Sequence, residues 1–120
     1  MEKHLKELES DLLTTKFTRV YYDDRITNNA PHHYYIKDNY GNTVTKVDFQ
    51  EGPCKEKGVN GCGNEDLLNI VINNLKSFNE TPYACRENSL AITCIEEALL
   101  WLRKRTMGRE KRGIDGTSQI

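Results

Sequence analysis

Residues 101–113 carry six basic side chains, Arg103, Lys104, Arg105, Arg109, Lys111 and Arg112, against one acidic residue, Glu110, a local charge of +5. The whole chain is −1 at pH 7, so everything outside that stretch sums to −6. Positive charge is segregated to one place. Arg105 and Arg109 stand four residues apart and Arg112 three further, so on a continuous helix they share a face, where their planar forks can grip phosphate oxygens bidentately. The same cluster has a plain structural use, since basic groups complement the negative pole of a helix C-terminus. Upstream, Phe78 and Tyr83 flank a turn, where an aromatic face can stack on a purine or merely cap an apolar stripe. Asn88 offers a matched donor and acceptor to an adenine edge, or a cap to the helix that follows.

Other chemistries find no footing. His4, His32 and His33 lie outside any nucleophile signature, and Glu96 and Glu97 are adjacent on a helix and point apart, so no enzyme is marked. The glycines of 58–63 precede a helix, but no Gly-Lys-Ser/Thr follows and Glu65 with Asp66 would repel phosphate there, which leaves a structural turn. Cys54 and Cys62 with His32 and His33 are spaced too widely for a typical zinc site, so neither metal nor cofactor is expected. The four cysteines read as thiols of a reducing compartment, with Cys94 a small core residue. A pI near 6.3 argues against a polymeric nucleic-acid coat. No apolar run reaches the length of a membrane span and the N-terminus lacks a signal-peptide core, so the expected location is cytoplasmic. The alternative function is a small nucleic-acid-binding or regulatory module working through the basic helix end.

The elements that must position these residues follow from periodicity. Leu5, Leu8, Leu12 and Leu13 predict a short amphipathic helix over 2–14. Segments 16–22, 33–37 and 43–49 predict antiparallel strands, the last two joined by a turn over 38–42 containing Gly41. A glycine-rich loop covers 50–63, and Asn64 caps a helix whose apolar face is Leu67, Leu68, Val71, Ile72, Leu75 and Phe78. A second helix runs from about 85 to 106 or beyond with a stripe of Ala91, Cys94, Ile95, Ala98, Trp101 and Leu102, with Gly108 a point of interruption and Gly113 its end. The fold class is α+β: a small N-terminal antiparallel sheet over about 15–50, then an antiparallel two-helix hairpin over about 64–112, in one domain of residues 1–120. With 37% hydrophobic residues such a chain has little surplus core, which points to an oligomer.

Several ordered words, Phe49-Gln50-Glu51-Gly52-Pro53, Gly58-Val59-Asn60-Gly61, Asn64-Glu65-Asp66-Leu67-Leu68, Cys85-Arg86-Glu87-Asn88, Glu96–Leu102, Arg105-Thr106, Arg109 and Arg112-Gly113, resemble the phage Thoeris anti-defence protein 1 family. The hairpin is shared in that wider group with the phage anti-CBASS protein 2. The resemblance implies a sponge that binds a TIR-derived cyclic ADP-ribose, chiefly glycocyclic ADP-ribose, and holds it uncleaved. It also implies a homodimer or a hexamer built as a trimer of dimers, and sites in some members for cyclic di- or trinucleotides. By the same resemblance Phe78 stacks on the base, Asn88 hydrogen-bonds the base or ribose, and Arg105 and Arg109 hold the pyrophosphate, with Arg112 and Tyr83 added on position.

Overall fold

The computed structural model describes residues 2–120. After a 3-10 turn over Glu2–His4 come strands β1 (Leu5–Glu7), β2 (Thr18–Asp23), β3 (His33–Asp38) and β4 (Thr43–Asp48), then helices α1 (Cys54–Lys57), α2 (Asn64–Phe78) and α3 (Arg86–Lys111). The architecture is α+β: an N-terminal antiparallel sheet in the order β1-β2-β3-β4, followed by the helical hairpin. The chain forms two compact units, the first ending at Cys62 and the second running Gly63–Ile120.

In the first unit, Tyr22 pairs with Tyr34 and Tyr34 with Val47, while Val20 pairs with Ile36 and Ile36 with Thr45, which puts the apolar residues on one face. Tyr34 meets Phe49 edge-on on that side, ring centroids 5.5 Å apart. The opposite face carries Glu7, Arg19, Tyr21, Tyr35, Lys37 and Lys46, with Lys37 over the Tyr21 ring and Lys46 over the Tyr35 ring. The imperfect alternation of 43–49 has a cause: Ile36 pairs with Thr45 and Lys37 with Thr43, so Val44 is an extra, exposed residue at a bulge. The turn of 38–42 forms as expected. Asp38 accepts the backbone N–H groups of Tyr40 and Asn42, both at 2.9 Å, while Gly41 takes φ 88°.

The N-terminal helix expected over 2–14 does not form. Leu5–Glu7 instead adds β1 to the edge of β2, continued by bonds from the Leu8 N–H to the Val20 carbonyl and from the Asp24 N–H to the His4 carbonyl, each 2.8 Å. Four leucines on so short a segment cannot nucleate a helix alone, whereas an unpaired β2 edge offers ladder bonds at once. Leu12 ends 96% exposed.

The loop after β4 is fixed by side chains. Gln50 donates to the carbonyls of Gly52 (3.1 Å) and Gly58 (2.7 Å) and accepts the Asn60 N–H (2.9 Å), while the Asn60 amide brackets the backbone of Glu51, both bonds at 2.8 Å. Gly61 lies so close to Phe49 that a Cβ there would sit 2.4 Å from the Phe49 carbonyl carbon.

In the second unit, Gly63 rather than Asn64 is the N-cap of α2, and the Asp66 carboxylate accepts the Gly63 N–H at 2.9 Å. Ile72 of α2 and Ile92 of α3 are buried in this unit, and Leu68, Leu75, Ile95, Leu99 and Leu102 are half-buried at helical spacing. Val71 and Phe78, expected on the covered face, are exposed. So are Cys94, Ala98 and Trp101, and the reading of Cys94 as a core residue is corrected. The α3 surface has two apolar stripes side by side, and the one centred on Ile92, Ile95 and Leu99 is the one that is covered. Gly108 does not interrupt α3. The helix ends as expected at Gly113 (φ 73°), whose N–H reaches the Glu110 carbonyl at 3.0 Å while the Ile114 N–H reaches that of Arg109 at 3.0 Å, a Schellman ending with Ile114 buried.

His33 lies between two carboxylates, Nδ1 2.6 Å from Asp48 and Nε2 2.6 Å from Glu51. Lys46 also faces Asp48, Thr27 donates to Glu51, and the neighbouring His32 is turned onto the Thr27 carbonyl. The carboxylate partners raise the His33 pKa above 6.5; the imidazole in turn lowers that of Asp48, and the Thr27 hydroxyl, then His33, lowers that of Glu51. A raised histidine stabilises fully below its unfolded value of about 6.5 and loses that contribution as pH rises through the folded value; the carboxylates act the opposite way near pH 4. Thermal midpoints are therefore expected to be higher at pH 6 than at pH 8.5, and His33→Gln to flatten that difference; an equal slope in the variant refutes the clamp. Gly61→Ala is expected to destabilise by about 1–3 kcal/mol in a urea melt, because the Phe49 backbone has to move aside.

Candidate functional site

The six candidate residues fall into two groups on the second unit. The first surrounds the α2–α3 turn. Thr81 ties the turn by donating its hydroxyl to the Phe78 carbonyl (2.5 Å) and accepting the Tyr83 N–H (3.1 Å), and both aromatic rings face solvent, Phe78 47% and Tyr83 77% exposed. Asn88, on the first turn of α3, donates from Nδ2 to Asn79 Oδ1 at 3.3 Å. It is not the cap of α3, which is Cys85.

The second group lies at the far end of α3. Trp101, Lys104, Arg105, Gly108, Arg109 and Arg112, together with Ile120, line an open cavity of about 570 Å³. Spacing of three and four brings these side chains onto one face, and a helix unbroken at Gly108 keeps them there. Arg109 donates to the carbonyls of Ile114 (3.1 Å) and Thr117 (3.0 Å), and Arg112 to that of Ile120 (2.9 Å), so the chain after the helix folds back onto these guanidinium groups. The Arg105 guanidinium makes no hydrogen bond or ion pair to any described residue. Arg103 instead pairs with Glu110 on another side of the helix, 3.3 Å apart, and Lys104 stands over the Trp101 ring at 5.3 Å.

Trp101, Gly108 and Ile120 line the cavity although none is a candidate from the sequence. Trp101 was assigned to the covered stripe and Gly108 was seen only as a break, yet both share the helical face of Arg105 and Arg112. That three-and-four spacing was the available signal. A Cβ at Gly108 would meet nothing within 4 Å, so the missing side chain leaves room in the cavity, not room for a packed neighbour.

Distance separates the two groups. At 1.5 Å per residue, Asn88 and Arg105 are about 26 Å apart along the α3 axis. Within one chain the structure brings Phe78, Tyr83 and Asn88 together, and separately Arg105, Arg109 and Arg112, but not the two sets. Each set has half of a nucleotide-binding chemistry: aromatic surface with an amide at one end, guanidinium groups at the other.

Comparison with known proteins identifies the family of the hairpin. A family model described as Acb2/Tad1, hairpin domain, matches residues 42–107, which includes Phe78, Tyr83, Asn88 and Arg105 and stops short of Arg109 and Arg112. The chain is 39% identical to Thoeris anti-defense 1 of Bacillus phage SBSphiJ7 over 142 aligned positions, covering 96% of this chain and 99% of that protein. Given a hairpin match over more than half the chain and a relative matched from end to end, the chain belongs to the Thoeris anti-defence 1 family of the Acb2/Tad1 hairpin group.

Proposed function

We propose that this chain is a phage anti-defence protein that binds a TIR-derived cyclic ADP-ribose, glycocyclic ADP-ribose in the first instance, and holds it uncleaved in the cytoplasm of the infected bacterium, so that the Thoeris effector is never switched on. Family membership supports the pathway. The observation that carries the binding reading is the two-ended hairpin: an aromatic-and-amide end suited to a base and a guanidinium end suited to a pyrophosphate, with Asn88 and Arg105 about 26 Å apart along α3.

One cyclised ADP-ribose is far shorter than that span, so a complete site needs the base end of one copy beside the phosphate end of another. In a two-fold dimer the exchange is mutual and yields two equivalent sites. Buried apolar residues among those described are only Ile72, Ile92 and Ile114, while Ile70, Val71, Leu90, Leu100 and Trp101 of the hairpin stand exposed. Association covers such surface, which supports a homodimer or the hexamer, a trimer of dimers, that the family resemblance implies. Two or three desolvated bonds to the pyrophosphate, at about 1.5–3 kcal/mol each, with stacking on Phe78, amount to much of the roughly 12 kcal/mol of a nanomolar complex. Retention by binding alone requires no catalytic residue.

The test is to mix the protein with glycocyclic ADP-ribose, filter away free ligand, heat the protein and weigh what is released. Intact ligand recovered only after heating is the expected result; altered ligand means an enzyme, and no depletion overturns the reading. Cyclic di- and trinucleotides run in parallel test the wider binding that the family resemblance implies. Arg105→Ala, which removes no internal bond, is expected to weaken retention by about 10- to 150-fold with an unchanged melting curve. Co-expressing Phe78→Ala chains with Arg105→Ala chains should restore up to about a quarter of wild-type sites, because each mixed dimer then has one intact site; no recovery excludes a site shared between copies. Gly108→Ala should move two readouts in opposite directions. It stabilises the helix by up to about 1 kcal/mol and weakens ligand binding by filling the cavity, and unchanged affinity would detach the cavity from the ligand.

A further inference from the structure

Asn79, one residue beyond α2, gathers three hydrogen bonds around one amide. Its Oδ1 accepts the Cys85 backbone N–H at 3.4 Å and Asn88 Nδ2 at 3.3 Å, and its Nδ2 donates to Ser89 Oγ at 3.1 Å. The chemistry leaves no freedom in these assignments. A backbone N–H can only donate, so the Asn79 atom facing Cys85 is the oxygen. The Asn88 atom meeting that same oxygen must then be its nitrogen, because a flipped Asn88 would set oxygen against oxygen.

We propose that Asn79, braced by Ser89, is a positioning residue that fixes the donor–acceptor sense of Asn88 and thereby selects an adenine over a base with a carbonyl at the same position. This rests on the reading that the hairpin binds an adenine-containing cyclic ADP-ribose. With one Nδ2 hydrogen committed to Asn79, Asn88 presents its Oδ1 and its remaining N–H in a set order. That order complements the amino donor and ring-nitrogen acceptor of adenine. Hypoxanthine, whose carbonyl replaces the amino group, would face Asn88 Oδ1 with a second acceptor. Asn79 is half-buried at the joint of the two helices, and its backbone N–H already bonds to the Leu75 carbonyl at 3.0 Å, so its own position is set by α2. Asn79 and Ser89 thus act through Asn88 and do not themselves need to touch the ligand.

The experiment measures dissociation constants for glycocyclic ADP-ribose and for its hypoxanthine counterpart on the full-length protein, and reads their ratio. Wild type is expected to favour the adenine ligand by at least about fivefold. Asn79→Ala should bring the ratio towards one, and Ser89→Ala should narrow it in part. Asn79→Asp should preserve it, since both oxygens accept and the Ser89 hydroxyl can turn to donate. General damage to the hairpin would lower both affinities together and leave the ratio alone, so a ratio unchanged in Asn79→Ala and Ser89→Ala overturns the inference. If Asn79→Ala does not fold, Ser89→Ala alone decides it. Failure of wild type to bind either ligand overturns the proposed function, and this inference with it, whereas binding without base discrimination overturns the inference and leaves the function standing.

Discussion

The length of one uninterrupted helix is the constraint on which the rest depends. α3 has 26 residues and α2 has 15, so α2, packed against α3 from the turn backwards, leaves roughly the last 16 Å of α3 without a partner helix. The basic cluster sits on that overhang. A long helix end rich in like charge is a poor element in isolation, and this one is held by other means: a Schellman ending, a buried Ile114, and Arg109 donating to the carbonyls of Ile114 and Thr117. The overhang keeps guanidinium groups away from the turn that carries Phe78 and Asn88, and so divides the candidate site between its two ends.

The three arginines consequently have different work. Arg109 spends part of its fork on its own chain and acts as a brace as well as a cation. Arg112 is tied to the Ile120 carbonyl. Arg105 is uncommitted among the described residues and is the cation whose bonding capacity is fully open. All of them favour the helix at its negative pole, so the structural and the ligand-binding accounts of this cluster are not rivals. A basic helix terminus is stable as it stands, and an anion arriving there relieves repulsion among cations already gathered.

Much of the fold was legible in the chain because it depends on local signals. The strands 18–23, 33–38 and 43–48, the turn at Gly41, the start of α2 near Asn64 and the end of α3 at Gly113 are each marked by residues that act on their own backbone. Apart from the N-cap of α2, which is Gly63, and the break not taken at Gly108, the failures concern which neighbour an element meets. Leu5–Glu7 became a strand because β2 had an edge to offer, which spacing within 2–14 does not encode. On α3 two apolar stripes lie side by side, and periodicity alone does not say which one faces α2, so Cys94 and Trp101 were placed inside when they lie outside. The site suffered the same limit. Residue types announced the guanidinium cluster and the aromatic turn, but the distance between them appears only once α3 is known to run straight through Gly108.

That distance bears on how the proposed sequestration would achieve slow release. Neither end encloses anything by itself: Phe78 and Tyr83 are exposed and the basic cavity is open on one side. An exposed ion pair is weakened by water and salt, whereas the same pair in a closed interface is not. On the proposed reading, closure comes from the second copy, whose apolar surface excludes water from the guanidinium–phosphate bonds at the moment it supplies the aromatic and amide groups. Retention then depends on how rarely the interface opens and not on any pocket present in one chain. The stability of the assembly and the residence time of the ligand become coupled quantities: ligand binding to the closed dimer must tighten the dimer by the same free energy with which the dimer retains the ligand.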